Sequence, residues 1–276
     1  MTNSDISRLS QKRIALAVEY AGTAFNGWQK QESPSLGTIQ EEIERALGQV
    51  ADADIKTICA GRTDAGVHAT CQVVHFDTPI DRGEKAWIRG VNSLLPDSIR
   101  VLWAKNVSEE FHARFSATSR RYQYVIYQRD TAPAIMAGHV THVRDLLDCV
   151  AMHNAAQHLL GEQDFSVFRA AGCQANTPFR NVSQVSVTRQ GRFIVIDIRA
   201  NAFLQHMVRN ITGALLDIGR GEQDADWIKQ LIGLKDRARS SATAAPDGLY
   251  LVGVSYPAEF KLPACEAIPA FLPSSA

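Results

Sequence analysis

A single carboxylate in a glycine-bracketed segment is the first candidate for chemistry in this sequence. Gly61 and Gly66 enclose Arg62-Thr63-Asp64-Ala65, and glycine tolerates backbone angles and a close substrate approach that other residues do not. An ionised Asp64 in such a loop could act as a nucleophile or promote an elimination. The spacing is also typical of a tight turn with a weak surface pair between Asp64 and Arg62, and by itself it favours that turn.

The other motifs that could carry chemistry are incomplete. The segment Gly22-Thr23-Ala24-Phe25-Asn26-Gly27 has the glycine spacing of a P-loop, but Trp28-Gln29 replaces the lysine and hydroxyl residue that hold phosphate and magnesium. Two histidine pairs lack the Glu or Cys partners of a zinc site: His139 with His142, and His153 with His158. We therefore expect neither a metal nor a cofactor.

Composition and charge limit the class of protein without naming a partner. The chain has 276 residues, 45% of them hydrophobic, with 29 basic and 29 acidic residues. Six arginines against one acid between Phe165 and Asn210 indicate either an RNA-binding face or a solvated surface. Five cysteines without a Cys-x-x-Cys motif favour reduced thiols.

No apolar stretch approaches the ~20 residues of a membrane helix, so we expect a soluble cytoplasmic protein that does not bind membranes.

The elements that would position Asp64 follow an order that occurs twice. In the first half, alternating apolar residues predict strands and a capping box at Thr38 and Glu41 predicts a helix start. The predicted order is strand 13–20, helix 39–50, strand 55–59, strand 71–77, helix 84–95 and strand 99–105. The second half gives strand 121–128, helix 145–160, strands 182–189 and 192–200, helix 202–218, a short helix 224–234 and strand 248–256.

This repetition predicts an α+β protein made of two ferredoxin-like β-α-β-β-α-β halves, each with an antiparallel sheet covered by helices. We place the first half, with the Asp64 loop, at residues 13–117 and the second at residues 118–257. Residues 258–276 contain three further prolines and no periodicity, and we expect them to be a poorly ordered tail.

Five segments of the chain resemble, in order, those of the tRNA pseudouridine synthase A family. They extend over about residues 13–257 and read Tyr20-x-Gly22-x-x-Phe25-x-Gly27-Trp28-Gln29, Gly61-Arg62-Thr63-Asp64-Ala65-Gly66-Val67-His68, Arg121-Tyr122-x-Tyr124, Asn201-Ala202-Phe203-x-x-x-Met207-Val208-Arg209-Asn210 and Gly248-Leu249-Tyr250-Leu251. The resemblance implies the pseudouridine synthase fold. It also implies the isomerisation of uridine in RNA without a cofactor.

The resemblance further implies a role for each of four residues. Asp64 is the catalytic carboxylate, and Arg209 is its ionic partner from the second half, although the helix pattern alone favours a solvated arginine there. Tyr122 lies against the uracil and is a candidate for removing its C5 proton. Arg62 contacts phosphate or helps to hold the flipped nucleotide. Trp28 and His68 are weaker candidates that shape the RNA-facing cleft.

The substrate implied by the resemblance is tRNA, modified at positions 38, 39 and 40 of the anticodon arm by a homodimer. Two alternatives remain open on the residues. One is a non-catalytic ferredoxin-like RNA-binding protein, because such sheets also serve as RNA-recognition scaffolds. The other is a cofactor-free hydrolase that uses Asp64 with His68 or His75.

Overall fold

Ten strands form a single sheet in the computed structural model, which describes residues 11–31, 37–80 and 82–272. The strands are β1 (Lys12–Tyr20), β2 (Ile58–Cys59), β3 (His68–Thr78), β4 (Ile99–Val107), β5 (Ser119–Gln128), β6 (Thr141–Val143), β7 (Gly161–Asp164), β8 (Phe179–Gln190), β9 (Phe193–Ala200) and β10 (Leu249–Ser255). Eight of them follow the order β4-β1-β3-β10-β5-β9-β8-β7, while β2 pairs with β3 and β6 pairs with β5.

Five longer helical segments accompany the sheet: α1 (Ile39–Ala51), a π-helical stretch (Ala86–Gly90), α2 (Cys149–Ala156), α3 (Met207–Gly219) and α4 (Trp227–Leu234). The predicted capping box is confirmed, because the Thr38 hydroxyl accepts from the Glu41 N–H and the Glu41 carboxylate accepts from the Thr38 N–H. Within the described ranges, no helix combines the length and the apolar character needed to cross a membrane.

The strand order repeats within the sheet, and it confirms the predicted α+β class. The first half contributes β4-β1-β3-β2 and the second contributes β10-β5-β9-β8, so corresponding strands of the two halves have the same neighbours. The two sets are joined where β10 pairs in parallel with β3, with Tyr250 opposite His68 and Leu251 opposite Ala69. Because His68 follows the Asp64 segment directly, the junction of the sheet lies beside the candidate carboxylate. The division of the chain at residue 117/118 stays a prediction.

The predicted helix 202–218 begins later in the structure than the sequence indicates. It starts at Met207, since His206 has a positive φ of 61° that interrupts helical geometry. Two short strands were also missing from the predicted order, β6 and β7. Both are at most four residues long and too short to show a hydrophobic period.

Residues 258–272 pack against the sheet, which differs from the poorly ordered tail that the sequence predicts. The Thr70 hydroxyl donates to the carbonyl of Ala267, and the Ala267 N–H donates to the carbonyl of Val252 at 3.0 Å. Leu272 is buried in an apolar cluster with Val252 and Tyr250. The remaining tail residues, 273–276, lie outside the described residues.

Cys71 on β3 and Cys265 in this tail lie next to each other, with Cα atoms 5.6 Å apart. This separation lies within the range that a disulfide spans, and for this pair the reduced state stays a prediction. The two residues are 194 positions apart, so their proximity depends on the packing of the tail and leaves no local spacing signal. Of the other three cysteines, Cys59 is buried, and Cys149 and Cys173 are partly buried.

Gly213, in the middle of α3, allows the chain around Ala242 to pack directly on the helix. A Cβ added at Gly213 would collide with the Ala242 carbonyl oxygen. We therefore expect Gly213→Ala to lower the free energy of unfolding by about 1–3 kcal/mol, measured by denaturant titration.

The matched control is Gly233→Ala in α4, where an added Cβ meets nothing within 4 Å. Alanine is the better helix former there, so the free energy of unfolding should stay the same or rise by up to about 1 kcal/mol. Equal effects of the two substitutions would contradict this account of the packing at Gly213.

Candidate active site

A cavity of about 730 Å³ opens where the two halves of the sheet meet. The first half contributes the segment around Asp64 and the loop at Trp28, while the second contributes Tyr122 and residues 202–208 before and at the start of α3. Within the described lining, Asp64 is the only acidic residue, and it is accompanied by four arginines: Arg62, Arg114, Arg120 and Arg180. The cavity therefore combines one carboxylate with a local excess of positive charge.

The Asp64 segment is held in place by the loop that follows β1. The Trp28 N–H donates to the Thr63 carbonyl at 3.0 Å, and the hydroxyls of Tyr20 and Thr63 are 2.8 Å apart. Gly27 has a φ of +85°, and a Cβ there would lie 2.8 Å from the Thr63 carbonyl oxygen. This position consequently requires glycine both for its backbone angle and for the close contact.

Asp64 meets Arg209, as the sequence analysis expects. Arg209 Nη1 lies 3.2 Å from Asp64 Oδ2, and Arg209 Nε donates to the Ala244 carbonyl at 2.8 Å. The Arg209 side chain is 14% exposed and that of Asp64 is 28% exposed. The Ala244 carbonyl thus holds the guanidinium through Nε, and the Nη1 group is left to donate to the carboxylate.

His206 is a neighbour of Asp64 that the sequence analysis missed. Its Nε2 lies 3.4 Å from Asp64 Oδ2, and its side chain is 32% exposed in the cavity. The only local sign in the sequence was its position three residues before Arg209, at the start of the same helix.

Tyr122 lines the cavity with a buried ring that is 8% exposed. Phe203 packs against it edge to face, with ring centroids 5.0 Å apart. A Cβ added at Gly61 would lie 3.6 Å from the Tyr122 hydroxyl, so the hydroxyl faces the Asp64 segment. Burial raises the pKa of Tyr122, and the nearby charge of Asp64 adds to the increase. The phenol is therefore protonated at neutral pH.

Arg62 lies at the rim of the cavity and not against Asp64. Its Nη1 reaches Gln174 Oε1 of the second half at 3.5 Å, and the turn-forming pair between Arg62 and Asp64 is absent from the described ion pairs. Its guanidinium remains on the cavity side, where a phosphate would be accessible to it.

Arg120 is a second residue that the sequence analysis missed. Its buried guanidinium donates to the carbonyl of Ala60 at 2.9 Å, of Arg114 at 2.6 Å and of Asn201 at 2.9 Å. Burial lowers its pKa. These bonds link the strand end before Asp64 to the segment that leads to α3, so Arg120 holds the two sides of the cavity together.

His68 and His75 are buried away from this arrangement. Burial lowers the pKa of each to about 4, so both are neutral at physiological pH. His68 Nδ1 accepts from the Gly22 N–H at 3.0 Å, and its ring stacks on Tyr250 with centroids 4.6 Å apart. These contacts give His68 a structural part at the sheet junction and offer no support to the hydrolase alternative.

Over the described ranges, no group of three or more His, Cys, Asp or Glu side chains is placed to hold a metal ion.

Comparisons with known proteins identify the family of this chain. A family model described as tRNA pseudouridine synthase matches residues 16–116 and 155–257. The tRNA pseudouridine synthase A of Shewanella amazonensis is 57% identical over 261 residues, which cover 95% of this chain and 99% of that protein. The protein of the same name from Aeromonas salmonicida is 54% identical over 264 residues, or 96% and 97% of the two chains. The chain therefore belongs to the tRNA pseudouridine synthase family.

Proposed function

We propose that this protein isomerises uridine to pseudouridine at positions 38, 39 and 40 of tRNA, with Asp64 as the reactive carboxylate. As a member of its family the chain is an isomerase. The observation that carries the assignment to Asp64 is its position as the only acid among the described residues of an arginine-lined cavity, with Oδ2 held by Arg209 at 3.2 Å. That cavity suits a polyanionic substrate whose target base must reach one carboxylate.

The reaction is an isomerisation, so every atom of the uridine is kept. The bond between ribose C1′ and uracil N1 breaks, the ring turns, and C1′ bonds to C5 of the same ring. The proton on C5 is lost and N1 gains one. An ionised Asp64 serves either route considered for the first step, attack by the carboxylate or elimination at the sugar. Arg209 stabilises that ionised form as an opposite charge at hydrogen-bonding distance.

Tyr122 is placed to support the uracil ring. Its own ring is fixed against Phe203, and a flat aromatic face holds an extruded base by stacking. Because burial raises its pKa, the hydroxyl is a poor base for the C5 proton before substrate enters. The arginines at the rim, with Arg62 foremost, are proposed to bind the phosphates around the target nucleotide.

The homodimer that the resemblance implies and the cytoplasmic location that the composition predicts both stay predictions. Modification of a tRNA by two joined copies would place two arginine-lined cavities along one RNA. A tRNA substrate supports the cytoplasm as the location of the protein.

Asp64→Asn should lower pseudouridine formation at least about a thousandfold, because an amide cannot supply the negative charge that the reaction needs. The measurement is pseudouridine content by mass spectrometry in an unmodified tRNA with uridine at positions 38, 39 and 40, incubated without cofactor. Asp97→Asn is the control, since Asp97 is an exposed partner of Arg100, and it should behave as wild type.

Three outcomes of that assay would count against the proposal. Wild-type protein that binds the tRNA and makes no pseudouridine would support the non-catalytic RNA-binding alternative. Equal activity of Asp64→Asn would remove Asp64 from the chemistry. Product at uridines other than 38, 39 and 40 would overturn the proposed positions.

Arg209→Lys should lower kcat about 10- to 100-fold, because lysine lacks the planar guanidinium whose two separate nitrogens bond Asp64 and the Ala244 carbonyl. Single-turnover rates at saturating tRNA measure this directly. Arg220→Lys is a matched control at the other end of α3, where the arginine forms partly exposed pairs with Asp145 and Asp217. A wild-type rate for Arg209→Lys would show that the pair does not contribute to catalysis.

Tyr122→Leu should lower kcat at least about tenfold more than Tyr122→Phe, because phenylalanine keeps an aromatic face for the uracil and leucine does not. The same single-turnover assay compares the two variants. Tyr127→Phe, a change on the same strand in a separate apolar cluster, should have no effect. Equal defects in the two Tyr122 variants would assign the function of this residue to its hydroxyl.

A further inference from the structure

His206 combines three properties that set it apart from the other residues of the cavity wall. Its Nε2 lies 3.4 Å from Asp64 Oδ2. Its backbone has a φ of 61° and a ψ of 4°, a left-handed conformation that few residues other than glycine adopt. It also stands directly before α3, so its backbone angle sets where that helix begins.

The backbone turn at His206 is secured on both sides. The Met207 N–H donates to the Leu204 carbonyl at 3.0 Å, and the Asn210 N–H donates to the His206 carbonyl at 2.8 Å. Glycine or asparagine would adopt this conformation more easily. The histidine at this position brings an imidazole to the carboxylate that glycine and asparagine could not supply.

Both partners of Asp64 approach the same carboxylate oxygen. Arg209 Nη1 is 3.2 Å from Oδ2 and His206 Nε2 is 3.4 Å from it. Among the hydrogen bonds between described side chains, the one that Asp64 accepts ends on Oδ2 and none ends on Oδ1. Arg209 donates to this oxygen and the His206 imidazole lies against it, so the two side chains restrict the rotation of the carboxylate and leave the second oxygen for another partner.

We propose that His206 is a positioning residue for the reaction: together with Arg209 it anchors Asp64 Oδ2, so that Oδ1 is the oxygen offered to the target nucleotide. This inference rests on the proposed function, in which Asp64 is the reactive carboxylate. His206 acts through Asp64, whereas the arginines at the rim act on the RNA backbone. Its loss should therefore slow the chemical step without weakening the binding of tRNA.

Two substitutions separate the side-chain contact from the backbone turn. His206→Asn keeps a residue that tolerates the left-handed conformation, but its amide is too short to reach Asp64. His206→Gln restores a side-chain N–H donor at about the reach of the imidazole. We expect His206→Asn to lower the single-turnover rate at saturating tRNA about 10- to 100-fold, with the Kd for tRNA unchanged within about twofold. We expect His206→Gln to recover most of that loss.

The matched control is His158→Asn. His158 also lies near a carboxylate, with Nε2 3.6 Å from Asp226 Oδ1, but both side chains are exposed on the outside of the molecule. This variant should have the wild-type rate. The free energy of unfolding, measured for all three variants, identifies any change in rate that comes from a damaged fold.

Several results would overturn the role of His206. A wild-type rate for His206→Asn would show that Asp64 needs no second anchor. A weakened Kd with an unchanged rate would make His206 a contact of the RNA. Equal rates for the Asn and Gln variants, both folded, would exclude the donated hydrogen bond. In each case an inactive Asp64→Asn would leave the proposed function standing, whereas an active Asp64→Asn would remove Asp64 from the chemistry and with it the basis of this inference.

Discussion

The contact between Asp64 and Arg209 is the interaction on which the rest of this structure depends. The two residues are 145 positions apart in the chain, yet Nη1 and Oδ2 are 3.2 Å apart. A carboxylate that is only 28% exposed is stable as an anion when a cation compensates for the water it has lost. The first half of the chain supplies the candidate reactive carboxylate, Asp64, and the second supplies its cationic partner, Arg209. Neither half alone therefore holds a complete site.

The duplicated sheet explains how this contact forms at a fixed distance. The parallel pairing of β3 with β10 joins the halves directly after the Asp64 segment. Arg120 bonds carbonyls on both sides of the cavity, and Ala244 fixes the Arg209 guanidinium from behind. Each of these links is a backbone interaction or a hydrogen bond to the backbone. The position of the carboxylate is therefore set by the sheet and by its immediate connections.

Much of this fold was predictable because its signals are local. Apolar alternation and the capping box at Thr38 located most strands and α1, and the repeated order of elements predicted two equivalent halves. The contacts that close the site are not local. The contact of Arg209 with Asp64 followed from the family resemblance, since the helix pattern alone favoured solvent. The proximity of Cys71 to Cys265 and the packed tail depend on chain segments that meet only after folding. His206 escaped notice because its backbone conformation interrupts the period that a helix prediction extends.

A carboxylate that must react within an RNA-binding cavity faces opposing electrostatic demands. Phosphates require positive charge around the site, and their own negative charge opposes the ionised form of an acid beside them. The structure separates the two demands in space. Arg62 and Arg114 are exposed on the cavity wall, whereas Arg209 lies behind Asp64 with only 14% of its side chain exposed. A cation in that position is already bonded to the carboxylate and to the backbone, so an incoming phosphate does not compete for it. This division also reconciles a neutral chain with a polyanionic substrate, because the positive charge is needed only along the cavity wall.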